Sequence, residues 1–353
     1  MEIKVPNIPF RVITVCMTYN HSMYIEDALN GFVMQDTTFP YVCVIIDDAS
    51  LDREQDVIRE FIERECVVVA ENCYETDDAH VIVAQPETNI NCTFAVYLLK
   101  ENHYSCKRSK MPYIYPWIDN CKYVAICEGD DYWIDSFKLQ KQYDILENNN
   151  DVTMCVSDAK VLSSNAELNW TRYSFDCLVP IKDIIEHGGM WLQTASFFYR
   201  IEIVKTMPEC GTKCHVGDYP LIIWMGLNGK VYYIAKKTVV YRYGYGWTSS
   251  FQNQPIEQRL AGWHSEVNML QGFNEISKRR YNAFFQNRLN FYILDIFVRN
   301  KSERQRIYCE FNNIIRYLPV KKQIKLQLYR FGLDMMIKDI ETVCSKIRML
   351  FNW

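Results

Sequence analysis

The strongest constraint on the fold is a regular alternation of strand-like and helix-like segments in the first 150 residues. Residues 11–19 and 41–46 are rich in β-branched side chains and predict buried strands. Each run is followed by a segment with apolar residues at helical spacing, at 24–35 and 51–65. Strands that alternate with helices form parallel sheets with helices on both faces. The sequence therefore predicts an α/β fold with a mostly parallel central sheet.

The same kind of pattern continues along the chain. We expect strands at 80–84, 123–127, 152–156, 193–199 and 231–234, and helices at 93–100, from Asp135 to about residue 147, and at 220–227. From about residue 255 onward the pattern is almost wholly helical, with an interruption at Pro319. We therefore predict a catalytic domain over residues 1–254 and a basic helical C-terminal region over residues 255–353.

Composition is that of a folded protein. The chain has 353 residues, of which 49% are hydrophobic and 23% charged, so it can bury a large core and is not a disordered tail. Residues 1–6 lack a basic segment followed by an apolar one, and no apolar run approaches the roughly 20 residues of a membrane span. We therefore expect a cytoplasmic protein whose 14 cysteines are mostly reduced thiols.

Charge is distributed unevenly. Residues 278–353 contain 16 Lys and Arg against 6 Asp and Glu, a net charge of +10, whereas residues 1–277 contain 23 against 37, a net charge of −14. Two interpretations of the basic segment stay open. In the first, its helices bind peripherally to the anionic inner face of the plasma membrane. In the second, they form a helical cap that packs on the core or on a second copy of the chain. We expect no nucleic-acid partner.

Three carboxylates occur within four residues directly after a predicted buried strand. Glu128, Asp130 and Asp131 follow residues 123–127. Hard divalent cations such as Mg²⁺ and Mn²⁺ prefer carboxylate oxygens, often together with the phosphates of a substrate. The alternative interpretation is a solvated acidic turn. Open α/β sheets bind ligands at the carboxyl ends of their strands, so the position favours a metal site.

Several segments together resemble the family 2 glycosyltransferases, which have a GT-A type fold and use nucleoside diphosphate sugars. The segments are the first strand with its exit VITVCMTYN (12–20), then YIEDAL (24–29) and Gln35, IIDDASLD (45–52), EGDDYWID (128–135) and KLQKQ (138–142). Each piece alone is a weak signal, but they occur in the family's order. The resemblance covers roughly residues 10–250 and leaves the C-terminal region unexplained. It implies a role in bacterial surface polysaccharide synthesis.

The resemblance also implies a donor site and a metal site. The donor-binding residues are Thr18, Tyr19, Asn20, Asp47, Asp48 and Asp130, with Asp47 or Asp48 on the base as the resemblance implies. Arg242 is a further donor-site candidate, because it lies in the glycine-containing aromatic segment 241–249, where it is within reach of the diphosphate if that segment is a lid rather than an ordinary surface loop. The implied ligands of Mn²⁺ or Mg²⁺ are Glu128, Asp130 and Asp131. Glu128 stands at the first acidic position of the family's Asp-x-Asp motif. Its longer side chain makes direct metal contact the least secure of the three.

The catalytic base implied by the resemblance is Asp218. The family usually has a Glu-Asp pair at a helix start, and here Gly217 replaces the Glu while Asp218 remains. The alternative role of an Asp at this position is a helix cap. Trp191, Gln193 and Ser196 are acceptor-side candidates, and residues 241–249 are expected to form a flexible aromatic loop.

These expectations predict an inverting, metal-dependent glycosyltransferase. It would move a sugar from a nucleoside diphosphate, UDP by preference, to a hydroxyl of a growing, lipid-linked glycan. One rival is a sugar nucleotidyltransferase, which needs a Gly-rich basic loop after the first strand; residues 18–22 contain neither Gly nor Lys nor Arg. A second rival is a non-catalytic nucleotide- or glycan-binding protein of the same fold. The presence of Asp130, Asp131 and Asp218 together argues against a non-catalytic binding protein.

Overall fold

A computed structural model describes residues 6, 8–118, 121–163, 166–189, 191–244, 251 and 253–333. The described residues fall into two compact units. The first contains the residues up to Ile184, together with Gly188–Thr212 and Val216–Asn253. The second contains Ile185–His187, Lys213–His215 and the described residues from Gln254 to residue 333. The assignment of a catalytic domain and a C-terminal region stays a prediction.

The first unit is built on a mixed sheet, which has 13 strands in the described part of the chain. The strands are β1 Val12–Thr18, β2 Tyr41–Asp47, β3 Cys66–Val68, β4 Tyr74–Glu75, β5 Ala79–Pro86, β6 Cys92–Leu99, β7 Tyr123–Ile126, β8 Tyr132–Trp133, β9 Val152–Leu162, β10 Glu167–Leu168, β11 Cys177–Leu178, β12 Phe198–Arg200 and β13 Lys230–Arg242. Every residue of β2 is buried, because its strand lies in the middle of the sheet with both faces covered.

The order of the strands is β11-β13-β9-β12-β7-β1-β2-β6-β5-β3. The central strands β7, β1, β2 and β6 are parallel to one another, and β13 is parallel to β9. Antiparallel strands complete the edges, and β12 runs antiparallel between β7 and β9. In register, Thr18 at the end of β1 lies beside Asp47 at the end of β2. The predicted α/β fold with a mostly parallel central sheet is confirmed.

Helices cover this sheet and form the C-terminal part of the chain. Those before residue 255 are α1 Ile25–Val33, α2 Glu54–Glu65, α3 Met111–Ile118, α4 Lys138–Asn148, α5 Ile181–His187, α6 Ile201–Val204, α7 Glu209–Thr212 and α8 Asp218–Asn228. The apolar residues Ala28, Leu29 and Phe32 of α1 are buried. A Cβ on Gly31 would lie 2.9 Å from the backbone nitrogen of Trp133, so the glycine lets α1 pack directly against β8.

Helices of the second unit carry their own apolar core. They are α9 Ile256–Ile276, α10 Asn282–Arg299, α11 Arg304–Glu310, α12 Asn312–Ile315 and α13 Val320–Arg330. Leu270, Phe273, Phe285, Ile293 and Phe297 are buried. The helical character predicted for this part of the chain is therefore correct. No helix in the described ranges combines the length and apolar character needed to cross a bilayer.

Three sequence predictions of local structure were wrong. The helix predicted at 93–100 is strand β6, all eight of whose residues are buried because it pairs with both β2 and β5. The strand predicted at 193–199 is a 3-10 turn at Thr194–Ser196 followed by β12. Arg242 ends strand β13 rather than lying in a loop. Residues 245–249 of the predicted aromatic loop lie outside the described residues.

Candidate active site

A cavity of about 700 Å³ opens at the carboxyl ends of β1, β2 and β7. Predicted site residues that line it are Thr18, Tyr19, Asn20, Asp48, Glu128, Asp130, Asp131, Gln193 and Asp218. Other lining residues, not singled out from the sequence, are Met17, His21, Tyr24, Asn102, Tyr104, Ser105, Lys110, Leu192, Thr194 and Tyr241. The predicted residues Asp47, Arg242, Trp191 and Ser196 do not line it. The sheet thus brings together segments that are 200 residues apart in sequence.

The acidic run forms a crowded group of carboxylates on the cavity wall. Glu128 is half-buried, and its Oε2 is enclosed with no hydrogen-bond partner among the described residues. Burial raises the pKa of Glu128 to about 8, and the charges of Asp130 and Asp218 add to this effect. Asp131 is only 3% exposed, and burial followed by the charges of Asp130 and Glu128 raises its pKa well above the usual range. Such a group is stabilised by a neighbouring cation.

The fit of this group to a divalent cation is partial. In the described part of the chain, no three His, Cys, Asp or Glu side chains converge as a ligand cluster. The enclosed Oε2 of Glu128 and the Asp130 side chain on the cavity wall are suitable hard donors. Magnesium-type sites commonly use one or two carboxylates and take their remaining ligands from substrate phosphates and water. The residues therefore fit a cation that enters together with a diphosphate.

A glycine allows the acidic run to approach β1 closely. A Cβ on Gly129 would lie 2.0 Å from Thr18 Oγ1 and 2.6 Å from Thr18 Cβ. Contacts this short do not occur, so any larger residue at position 129 would push the run away from the end of β1. Gly129 therefore determines the spacing between Thr18 and the neighbouring Asp130.

Arg242 holds the acidic run from outside the cavity. Its backbone N–H donates to Asp131 Oδ1 at 2.9 Å, and its Nη1 donates to the Asp130 carbonyl oxygen at 2.6 Å. The guanidinium also pairs with Asp27. It lies 4.7 and 4.5 Å from the ring centroids of two tyrosines, Tyr24 and Tyr132. In this state Arg242 positions the acidic run, and its contact with a diphosphate stays a prediction.

A buried glutamate links the loops that follow β1 and β2. Glu54 at the start of α2 is fully buried, and its Oε1 accepts a hydrogen bond from Thr18 Oγ1. Its Oε2 accepts from His21 N at 2.9 Å and from Ser50 Oγ at 2.8 Å. His21 continues the network, with Nδ1 3.1 Å from Thr18 Oγ1 and Nε2 4.0 Å from Asp130 Oδ2. The network connects the base of the cavity to the acidic run.

Glu54 was missed in the sequence, although a signal was present. It lies four residues before Ile58 and seven before Phe61, which places it on the buried face of α2. Burial raises the pKa of Glu54 to about 7, and the charge of Asp47 raises it further, while hydrogen bonds from His21, Thr18 and Ser50 oppose these effects. The position of Glu54 on the apolar face of α2 was thus the signal in the sequence for a buried hydrogen-bond network.

Asp48 shapes a loop of the cavity wall. Its Oδ1 accepts from His103 N at 2.7 Å, and its Oδ2 accepts from Tyr104 N at 3.1 Å and from Lys110 Nζ at 2.7 Å. Its carbonyl oxygen accepts from Asn102 Nδ2 at 2.8 Å. Both carboxylate oxygens thus hold the segment 102–110, which contributes Asn102, Tyr104 and Lys110 to the cavity.

Asp47 does not line the cavity. It is fully buried, and its Oδ1 accepts from Ser50 N at 3.0 Å and from Gln55 Nε2 at 2.6 Å. Asn20 supports the same region, since its Oδ1 accepts from Leu51 N at 2.8 Å and its backbone has a left-handed φ of 59°. Of the two aspartates predicted to contact the base, the structure brings only Asp48 to the cavity wall.

Asp218 is the first residue of α8 and lines the same cavity as the acidic run. Its Oδ1 accepts from Tyr219 N at 2.8 Å, and its charge contributes to the raised pKa of Glu128. Gln193 also lines the cavity, and its Nε2 is enclosed without a hydrogen-bond partner in the described part of the chain. An enclosed donor at a cavity wall can be satisfied by a ligand.

The other two acceptor-side candidates are placed differently. Ser196 is fully buried, and its hydroxyl donates to the Gln193 carbonyl oxygen at 2.7 Å. Trp191 packs edge-to-face on Tyr173 and borders a narrow cleft of about 10 Å³ beside Asp218. Ser196 thus supports the backbone of Gln193 and does not reach the cavity, because the 3-10 turn directs its side chain into the interior.

Comparison with known proteins gives relatives of low identity. No protein-family model matches the chain. Uncharacterized proteins Rv1520 of Mycobacterium tuberculosis and Mb1547 of Mycobacterium bovis are each 27% identical over 250 residues, which is 68% of this chain. The match spans 61% of the length of these curated relatives.

Comparison with solved structures gives matches at 12–14% identity. The crystal structure of Staphylococcus aureus TarS has a TM-score of 0.54 and 13% identity, covering 92% of this chain and 53% of that chain. TarS 1–349 in complex with UDP-GlcNAc has a TM-score of 0.46 and 14% identity, covering 92% of both chains. The mannosyltransferase PcManGT from Pyrobaculum calidifontis, in complex with GDP-Man and Mn²⁺, has a TM-score of 0.48 and 12% identity, covering 100% of this chain and 91% of that chain. The likeness to the TarS crystal structure, with a TM-score above 0.5, shows a shared α/β fold, which is GT-A-like.

Proposed function

We propose that this protein is a glycosyltransferase that moves a sugar from a nucleoside diphosphate donor to a hydroxyl group of a glycan. The observation that carries this proposal is the single cavity in which the exit of β1, the acidic run and Asp218 meet. Its volume of about 700 Å³ lies within the usual size of small-molecule sites. It opens at the carboxyl ends of parallel strands, where α/β folds bind nucleotides.

The donor nucleotide is proposed to bind at the ends of β1 and β2. Tyr19 and Tyr104 line the cavity and are both exposed, so their rings are accessible to a nucleobase. Asn20 and Asn102 supply amides in the same wall. UDP is the proposed nucleotide, on the strength of the resemblance to family 2 glycosyltransferases. The UDP-GlcNAc complex of TarS 1–349 and the GDP-Man complex of PcManGT make UDP- and GDP-sugars the first donors to test.

A divalent cation, Mn²⁺ or Mg²⁺, is proposed to bind with the donor diphosphate at the acidic run, with one or two of Glu128, Asp130 and Asp131 as its protein ligands. Asp130 is the proposed principal ligand because its side chain faces the cavity, whereas one oxygen of Asp131 is bonded to the Arg242 backbone. When bound, the cation would neutralise charge on the departing nucleoside diphosphate. The raised pKa values of Glu128 and Asp131 support this assignment, because a cation would relieve the repulsion that raises them.

Asp218 is proposed as the general base. It lines the same cavity as the acidic run but comes from the start of α8, whereas Glu128 and Asp130 follow β7. An acceptor hydroxyl between Asp218 and the donor could transfer its proton to Asp218 as it attacks the anomeric carbon. Attack from the side opposite the diphosphate inverts that carbon. The Gln193 amide is the proposed group that orients the acceptor.

The acceptor and cellular setting rest on the resemblance. We propose a growing, lipid-linked glycan of a bacterial surface polysaccharide, at the cytoplasmic face of the membrane. The mycobacterial relatives are uncharacterized and longer than the matched region, so they supply no acceptor.

The test is release of nucleoside diphosphate from a panel of UDP- and GDP-sugars, with Mn²⁺ and with EDTA. We expect release with at least one donor, dependent on Mn²⁺. The Asp218→Asn variant should lose about 100-fold or more in turnover while its nucleotide affinity, measured by calorimetry, stays close to wild type. Asp36→Asn, an exposed carboxylate on the surface, is the matched control and should retain activity.

Other outcomes would assign the cavity differently. Formation of a nucleoside diphosphate sugar from a sugar phosphate and a nucleoside triphosphate would identify a nucleotidyltransferase. Nucleotide binding without turnover of any donor or acceptor would identify a binding protein. Full activity of Asp218→Asn would remove Asp218 from the chemistry and leave it as a helix-start residue.

A further inference from the structure

The last described segment of the second unit, residues 312–333, has basic side chains but no acidic ones. Residues 312–333 contain five Lys and Arg side chains and no Asp or Glu. The five are Arg316, Lys321, Lys322, Lys325 and Arg330. Elsewhere in the same unit basic residues face acidic ones, as in the pairs Arg279–Glu275 and Arg299–Asp295. The segment 312–333 therefore has a net charge of +5, from five Lys and Arg and no Asp or Glu.

The same segment exposes large apolar side chains. Val320 is 70% exposed and Ile324 is 55% exposed, and they lie four residues apart on one face of α13. Phe331, seven residues beyond Ile324, is 69% exposed, and Tyr317 just before the helix is 75% exposed. Leu326 is fully buried and lies on the opposite side of α13. The helix thus packs on its own unit through Leu326 and leaves a second apolar face in solvent.

We propose that this face, formed by Tyr317, Val320, Ile324 and Phe331, docks on an anionic lipid surface. It is called the α13 face below. Lys321 and Lys325 each follow directly after an exposed apolar residue, so positive charge borders the apolar stripe. A helix with apolar side chains flanked by basic ones lies in the interface of an anionic membrane. The proposal is independent of the chemistry assigned to the cavity.

Charge complementarity selects the lipid among the candidate occupants. Nucleic acid would contact the basic side chains, but its phosphates would leave the apolar side chains Val320 and Ile324 in water. A second copy of this chain would bring the same five positive charges to the contact, and like charges repel. An anionic bilayer satisfies both features, because headgroups neutralise the lysines while Ile324 and Phe331 enter the acyl boundary.

Co-sedimentation of the full chain with vesicles tests the proposal. The vesicles are pure phosphatidylcholine, or phosphatidylcholine with about one third phosphatidylserine, at low and high salt. We expect binding to the anionic vesicles alone, weakened by salt. Lys321→Gln and Lys325→Gln should each lower the partition coefficient between anionic vesicles and buffer about fivefold. This factor corresponds to the loss of one basic residue near an anionic surface. Ile324→Asp should reduce binding further.

The controls separate a surface effect from unfolding. Ile90→Asp changes an isoleucine that is 84% exposed in the first unit and should leave vesicle binding unchanged. Far-UV circular dichroism should match wild type for both Asp variants, since both positions face solvent. Equal recovery in the supernatant with neutral and anionic vesicles would overturn the proposal. So would binding that survives Ile324→Asp, or a dimer that the same variant dissociates in the absence of lipid.

Discussion

The buried carboxylate of Glu54 predicts a specific dependence of stability on pH. Its pKa is 4.5 in an unfolded chain and about 7 in the folded protein, mainly because burial disfavours the ionised form. Between these values the folded protein keeps a proton that the unfolded chain releases. The stabilisation is therefore complete below pH 4.5 and is lost as the pH rises through about 7. At about 1.4 kcal/mol for each pKa unit, the total loss over this shift is about 3 to 4 kcal/mol.

Glu54→Gln should remove this dependence without removing the network. The amide oxygen of Gln can accept from His21 N and Ser50 Oγ, and its NH₂ group can donate to Thr18 Oγ1. The Thr18 hydroxyl can then donate to His21 Nδ1, which already lies 3.1 Å away. We therefore expect a folded variant whose free energy of unfolding falls less between pH 5 and pH 8 than that of wild type.

Urea denaturation of both proteins at several pH values, without nucleotide or metal, measures the effect. The fall in unfolding free energy from pH 5 to pH 8 should be about 2 to 3 kcal/mol larger in wild type than in Glu54→Gln. Glu128 and Asp131 also titrate abnormally, but they are present in both proteins and cancel in the comparison. Glu63→Gln, an exposed carboxylate on the same helix, should follow wild type. Parallel pH profiles for wild type and Glu54→Gln would refute the reasoning.

Two further substitutions test how the acidic run is held. Gly129→Ala should destabilise the protein by about 1–3 kcal/mol and weaken nucleotide binding, because its Cβ would overlap Thr18. Gly217→Ala, whose Cβ would meet nothing within 4 Å, is the control for denaturation, and equal stability of the two variants would contradict this account. Arg242→Lys should lower the melting temperature by several degrees, because lysine cannot contact Asp130 and Asp27 at once while lying over two rings. Arg299→Lys, in an exposed pair, should melt like wild type, whereas an unchanged melting temperature for Arg242→Lys would mean that Arg242 does not hold the run.

Local sequence was sufficient for the frame of the fold. β1 and β2 are predominantly apolar segments, and such segments become central strands because both faces of a central strand are covered. Every residue of β2 and five of the seven residues of β1 are buried. The cavity position followed from that frame, since Thr18 ends β1, Asp48 follows β2 and Asp130 lies shortly after β7, and the carboxyl ends of these parallel strands meet at one edge. Asp218 was likewise predictable at a helix start.

The tertiary structure alone decided what each polar side chain does at that edge. Residues 92–99 are compatible with helix or strand, and pairing with β2 and β5 selected the strand. Whether a carboxylate lines the cavity or joins an internal hydrogen-bond network depends on hydrogen-bond donors from distant parts of the chain. Lys110 reaches Asp48 from 62 residues away, and Arg242 reaches Asp131 from 111 residues away. The periodicity of apolar residues shows which face of a helix or strand is buried. It does not show which distant hydrogen-bond donor will lie beside a given carboxylate oxygen. The role of each carboxylate depends on that donor.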